Sequence, residues 1–305
     1  MKEKAPLIGL VLATTLLLIS LTLIFTHYDD LIIPYITQTQ AFSDNFEDVI
    51  KSSAPKGSMT SDESLPSKVL EAQKRKIRIV GQFFLKDLPS PQLSGGTGFP
   101  VNYKSKVLIL SARHVLLEPI LKIHRIVGHY NDAGIPESDS YKYQFYGVID
   151  EDGKHIVFPI KPVAMGEIGK HQDYVAFEAQ RPVTLKTVQL AKDANKGDDV
   201  YVSGFSPIES PYPNTFGNHS TALSDIVEYS FKNKISAKIE DMPINKNGVK
   251  IYYRIRGDVE HGFSGGPVFN TEGEVIGMVV EGLSNFFYAV SSNDLQDFLN
   301  SIKLK

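Results

Sequence analysis

The first feature along the chain is an unbroken apolar run. From Ala5 to Thr26 no charged residue occurs, and the centre reads LIGLVLATTLLLISLTLIF. At about 1.5 Å per residue a helix of this length crosses a hydrocarbon core about 30 Å thick. Its hydrophobicity lies all round, so no amphipathic face marks it as a half-buried surface helix. Lys2 and Lys4 precede the run, and Asp29 and Asp30 follow it. The positive-inside tendency therefore leaves residues 1–4 in the cytoplasm, makes 5–26 a transmembrane anchor and exports the rest. A cleaved signal peptide is the competing reading. The run is longer than a usual signal core, and no clear small-x-small cleavage site follows it.

Residues 27–67 turn polar, rich in Ser, Thr, Asp and Pro from about Thr37 onward. This composition predicts a tether, with at most a short amphipathic piece around Phe42–Ile50. From 68 to 305 the pattern changes again, to short apolar runs separated by turn residues. The alternation predicts a short helix capped by Ser67 and ending at Lys76. Strands follow over 77–84, 107–111, 141–149, 155–160, 173–179, 199–205, 226–231, 234–239, 250–256, 274–282 and 286–291. In KIYYRIR, Ile251, Tyr253 and Ile255 share one face. Asn293 is the expected N-cap of a last helix over 294–302, where Leu295, Phe298, Leu299 and Ile302 recur at helical spacing. Short strands at near-regular intervals point to barrels or a sandwich, and the pattern does not choose between them.

Composition narrows the chemistry. The chain has 305 residues, 42% hydrophobic and 22% charged, with 23 Gly and 17 Pro, the profile of a folded, turn-rich protein. A net charge of −3 gives no basic excess for phosphates, so nucleic acid is not an expected partner. No cysteine is present, which excludes disulfides, thiolate chemistry and Cys-based metal sites. His124, His129 and His155 lack metal-ligand spacing, and neither a metal nor any other cofactor is expected.

The most informative stretch is HGFSGGPVFNTEGEVIGMVVEG, from His261 to Gly282. Ser264 sits among glycines. A serine hydroxyl needs a base to take its proton, and the oxyanion it creates needs preorganised N–H donors. Glycines allow the dihedrals that aim such donors inward, and Gly262 and Ser264 are the expected pair. A Gly-x-Ser-x-Gly also marks the nucleophile elbow of α/β-hydrolases, where the acid and the histidine come later in the chain. Here no histidine follows Ser264, and a strand pattern follows it instead of a helix. The base must lie upstream. His114 ends the apolar run VLILSARHV, and Asp173 opens DYVAFEA, where a carboxylate can hold the base in one tautomer.

In order, these segments are Gly96-Thr97-Gly98-Phe99, Ser111-Ala112-Arg113-His114-Val115, Asp173-Tyr174-Val175-Ala176-Phe177, Gly197 to Phe205, Gly262 to Pro267 and Gly273 to Gly277. Phe287-Tyr288-Ala289-Val290 comes last. The chain thus resembles the trypsin-like serine peptidases of the chymotrypsin fold, most closely the high-temperature-requirement (HtrA, or Deg-type) branch, over about residues 75–302. The resemblance implies a mostly β domain of two six-stranded antiparallel barrels, about 75–185 and 186–291, with a C-terminal helix. His114 and Asp173 would come from the first barrel and Ser264 from the second, as a catalytic triad. It further implies a protein or peptide substrate. Within 1–305 no PDZ module follows the last helix, and Arg113 is bulkier than the small residue the resemblance implies. The pocket for the side chain preceding the cleaved bond would be walled by Asp258–His261 and by Val280, Glu281 and Gly282. Asp258 suits a basic side chain, whereas the Deg-type resemblance suits a small apolar one.

Overall fold

The computed structural model describes residues 58–60, 65–85, 92–116, 129–130, 136–137, 141–151, 154–167, 172–192, 194–207, 226–238, 253–256, 262–283 and 286–303. The expected membrane segment 5–26 and most of the tether lie outside the described residues. Among the described residues no helix is long and apolar enough to cross a bilayer.

The N-terminal half begins with a short strand β1 (Ser58–Thr60) and helix α1 (Ser67–Gln73). Strands β2 (Ile77–Leu85), β3 (Gln92–Tyr103) and β4 (Lys106–Ser111) follow, then a small pair, β5 (His129–Tyr130) and β6 (Pro136–Glu137). Strands β7 (Tyr141–Glu151), β8 (Lys154–Met165) and β9 (Val175–Ala179) complete it. Six of these close into a barrel in the order β2-β3-β4-β9-β8-β7, every neighbour antiparallel. Closure removes the exposed edges that an open sheet would leave. Ile77, Ile79 and Phe83 alternate along β2 into the interior and are fully buried. There Phe83 meets Phe145 edge-on at 5.3 Å, and Phe145 meets Phe177 at 5.4 Å.

The C-terminal half holds β10 (Asp199–Pro207), β11 (Ile226–Lys238), β12 (Tyr253–Arg256), β13 (Pro267–Phe269), β14 (Val275–Leu283), β15 (Phe286–Ser291) and helix α2 (Ser292–Ser301). Its sheet runs β1-β11-β10-β13-β14-β15-β12, and β12 also pairs with β11, which curls the sheet back on itself. Val200, Val202, Ile255, Val268 and Phe287 form its core, while Tyr201 points the other way, into the cluster shared with the first barrel. Tyr253 and Ile255 are both buried, as the alternation in KIYYRIR predicts. The segment between the halves is strapped to both. Val188 N–H donates to Pro100 O at 2.9 Å, and Val275 N–H donates to Gln189 O at 2.8 Å.

Five local expectations are corrected. The expected strands leave a gap between 84 and 107, but its glycines lie inside the twelve-residue strand β3. Its glycines mark close approach: a Cβ on Gly98 would stand 2.8 Å from Leu110 O and from Ile79 Cδ1. Strands expected over 226–231 and 234–239 are one strand, β11, because Lys232–Lys234 stay in register with Asp199–Tyr201. Ser67 is the first helical residue behind an N-cap at Pro66 and makes no cap. Asn293 lies within α2; the cap is Ser291, whose side chain accepts from Asp294 N–H at 3.2 Å. The tether also ends earlier than 67. Ser58–Thr60 pair in parallel with Glu228–Ser230, and Leu65 is buried.

Candidate active site

His114 follows β4 in a helical turn that begins at Arg113. Two anchors hold it against Asp173, the second residue before β9. The backbone N–H of His114 donates to Asp173 Oδ1 at 2.9 Å, and the ring Nδ1 lies 2.7 Å from Asp173 Oδ2. Both carboxylate oxygens are therefore spent on one residue. The backbone bond fixes where the carboxylate sits, and the ring bond then selects the tautomer with its proton on Nδ1. Antiparallel pairing of β4 with β9, which sets Ser111 opposite Val175, brings the two ends together although 59 positions separate them. Arg113 extends to Gly166, where Nη1 donates to the carbonyl at 3.3 Å.

Ser264 lies in the tight turn before β13. Gly262 and Gly265 adopt φ of 100° and 84°, a region open mainly to glycine. At Gly265 a Cβ would run into Thr97 O and Ser111 Oγ and would stand 2.8 Å from Ala112 N. The turn is thus packed against Ser111–Ala112, directly upstream of His114. Gly265 N–H donates to Val279 O at 2.8 Å, and Gly266 N–H donates to Phe263 O at 2.7 Å. Among the described residues, the N–H groups of Gly262 and Ser264 make no backbone hydrogen bond.

Thr97 is the residue whose role the sequence did not reveal. Its N–H donates to Ser264 O at 2.9 Å, and its Oγ1 donates to Gly262 O at 2.8 Å. The same oxygen accepts from Phe205 N–H at 3.0 Å, and Thr97 O accepts from Ser111 Oγ at 2.8 Å. Every polar group of Thr97 is committed, and two of them grip the Ser264 turn. A serine buried at the end of an apolar strand, Ser111, is the nearest signal the sequence offered.

Of the expected pocket residues, Val280 is buried, Glu281 half-buried and Gly282 exposed, all on β14. Asp258, Glu260 and His261 lie outside the described residues.

A family model described as a trypsin-like peptidase domain matches residues 96–278, an interval containing His114, Asp173 and Ser264. No curated protein matches the chain. Among solved structures, an inactive form of Rv3671c from M. tuberculosis H37Rv, carrying a serine-to-alanine change, is 20% identical. It covers 80% of this chain and 96% of its own, with a TM-score of 0.48. Deg5 is 14% identical, covering 75% of this chain and 89% of its own, also with a TM-score of 0.48.

Proposed function

Because this chain belongs to the trypsin-like peptidase family, we propose that it is a serine endopeptidase in which Ser264 is the nucleophile, His114 the base and Asp173 its orienting acid. The observation that carries the reading is the double grip of Asp173 on His114 beside the packed Ser264 turn. With Nδ1 held by the carboxylate, Nε2 is the ring atom that takes the Ser264 hydroxyl proton as Oγ bonds to the substrate carbonyl carbon. The oxyanion is held by the N–H groups of Gly262 and Ser264. The C–N bond then breaks, and the amine leaves with the proton from Nε2. Water, deprotonated by the same nitrogen, attacks the acyl group, releases the acid and restores the serine.

In this reading residues 5–26 anchor the enzyme in a membrane, with residues 1–4 in the cytoplasm and the peptidase domain outside. Its substrates are then exported or membrane-proximal proteins. The test is labelling of the full chain with a fluorophosphonate. Labelling that disappears in Ser264→Ala, together with proteolysis, supports the assignment. Absence of labelling with a folded domain overturns it in favour of a tethered binding module. A library varying the residue before the cleaved bond decides between basic side chains, drawn by Asp258, and small apolar ones.

A further inference from the structure

Arg113 is larger than the residue that the resemblance implies beside His114, and its length lets it reach the connection between β8 and β9. That connection carries Asp173 just past the end of the backbone ladder. Pairing of β8 with β9 stops at Met165 and Val175. One further bond follows, from Gly166 N–H to Tyr174 O at 2.8 Å. Asp173 lies inside the connection, one residue before Tyr174. Sheet pairing therefore fixes Tyr174 and leaves the carboxylate before it to other contacts.

Gly166 is the neck of this connection. It is buried, and a Cβ there would run into Gln172 O and stand 2.7 Å from Gln172 Cβ and 2.9 Å from Tyr174 Cδ2. The backbone at Gly166 is thus pressed against the residues on both sides of Asp173. In so close a packing a shift of one moves the other. Glu167 N–H donates to Gln172 Oε1 at 3.0 Å and closes the next step. Gly166 O accepts from Arg113 Nη1 at 3.3 Å. A charged donor holds a carbonyl more firmly than a neutral one, and a small side chain at 113 would not reach it. Consecutive residues therefore hold two points of one short segment. Arg113 holds the neck at Gly166, and His114 holds the carboxylate at Asp173.

We propose that Arg113 is a positioning residue, whose clamp on Gly166 keeps the Asp173 carboxylate against His114 Nδ1 while the ring gains and loses its proton. This rests on the peptidase reading, and Arg113 itself touches no reacting atom.

Two measurements on the full chain in detergent test it. One is the rate at which a fluorophosphonate labels Ser264. The other is hydrogen exchange at the His114 amide, whose partner is Asp173 Oδ1. Arg113→Met keeps an apolar stem and removes the charge and the donors. It is expected to slow labelling about threefold to tenfold and to speed exchange at the His114 amide about threefold or more. Arg113→Lys retains a charged donor and is expected to recover part of both effects. In an Asp173→Ala background Arg113→Met is expected to leave the residual labelling unchanged, since no carboxylate remains to be positioned. Parent-like labelling and exchange in Arg113→Met overturn the proposal and leave the peptidase reading standing. Slower labelling with unchanged exchange, or equal slowing with and without Asp173, also overturns it, because Arg113 then acts on something other than the carboxylate. A parent chain that never labels, while exchange is still faster in Arg113→Met, overturns the peptidase reading and keeps the clamp on Asp173.

Discussion

Thr97 shows how much one side chain can govern. Its hydroxyl donates to Gly262 O and accepts from Phe205 N–H, so it joins the glycine that opens the Ser264 turn to β10. Thr97→Val keeps the shape and deletes both bonds, leaving a carbonyl and an N–H short of a partner at about 1–3 kcal/mol. The expected result is fluorophosphonate labelling slowed about tenfold or more, with the far-ultraviolet circular dichroism unchanged. Unaltered labelling would mean that the Ser264 turn holds itself. At the same scale, the pairing of Asp173 with His114 was legible in the sequence because each sits in a distinctive neighbourhood. Thr97 was not, since a threonine in a strand carries no mark of a bond to a residue 165 positions away.

Among the elements, the two helices are fastened differently. In α2 the Ser291 hydroxyl satisfies Asp294 N–H at the buried end of the helix. Ser291→Ala removes a true N-cap and is expected to cost about 1 kcal/mol. Thermal unfolding should read this as a midpoint lowered by about 2–4 °C for a domain of this size. By contrast, Lys68 of α1 pairs with Glu272 at the β13–β14 turn, where both side chains are well exposed. The hydrogen bond from Lys68 to Glu272 raises the lysine above its ordinary value, so the lysine is protonated at neutral pH and loses its proton on the alkaline side. Exposed pairs contribute little, and Glu272→Gln should move the same midpoint by about a degree or less. What seats α1 is the burial of Val69 and Ala72. Strand positions were read well wherever alternation was clean. They failed at β3 and β11, where glycine or lysine interrupts the pattern but backbone pairing continues.

For the whole molecule, α2 acts as a clasp. It leaves the second sheet at Ser291 yet packs on the first barrel. Phe298 lies 4.6 Å from the ring of Tyr174, and Tyr103 donates to Ile302 O at 2.8 Å. Tyr174 directly follows Asp173, so the clasp bears on the carboxylate that positions His114. Phe298→Ala deletes a buried ring and is expected to cost about 3–5 kcal/mol. Denaturant titration should show the lower midpoint, and labelling of Ser264 should fall with it. A variant that loses stability while labelling at the parent rate would separate the clasp from the site.

The sequence by itself determined the β-rich class, the apolar run at 5–26 and the amphipathic last helix. These follow from spacing and side-chain type within a few neighbouring residues. Tertiary structure alone decided that β3 runs straight through its glycines, that Ser58–Thr60 join the second sheet, and that α2 clasps the first barrel. Each depends on contacts between residues distant along the chain, set by how two closed or curled sheets press together. No local periodicity encodes which face will be covered once the barrel and the curled sheet have met.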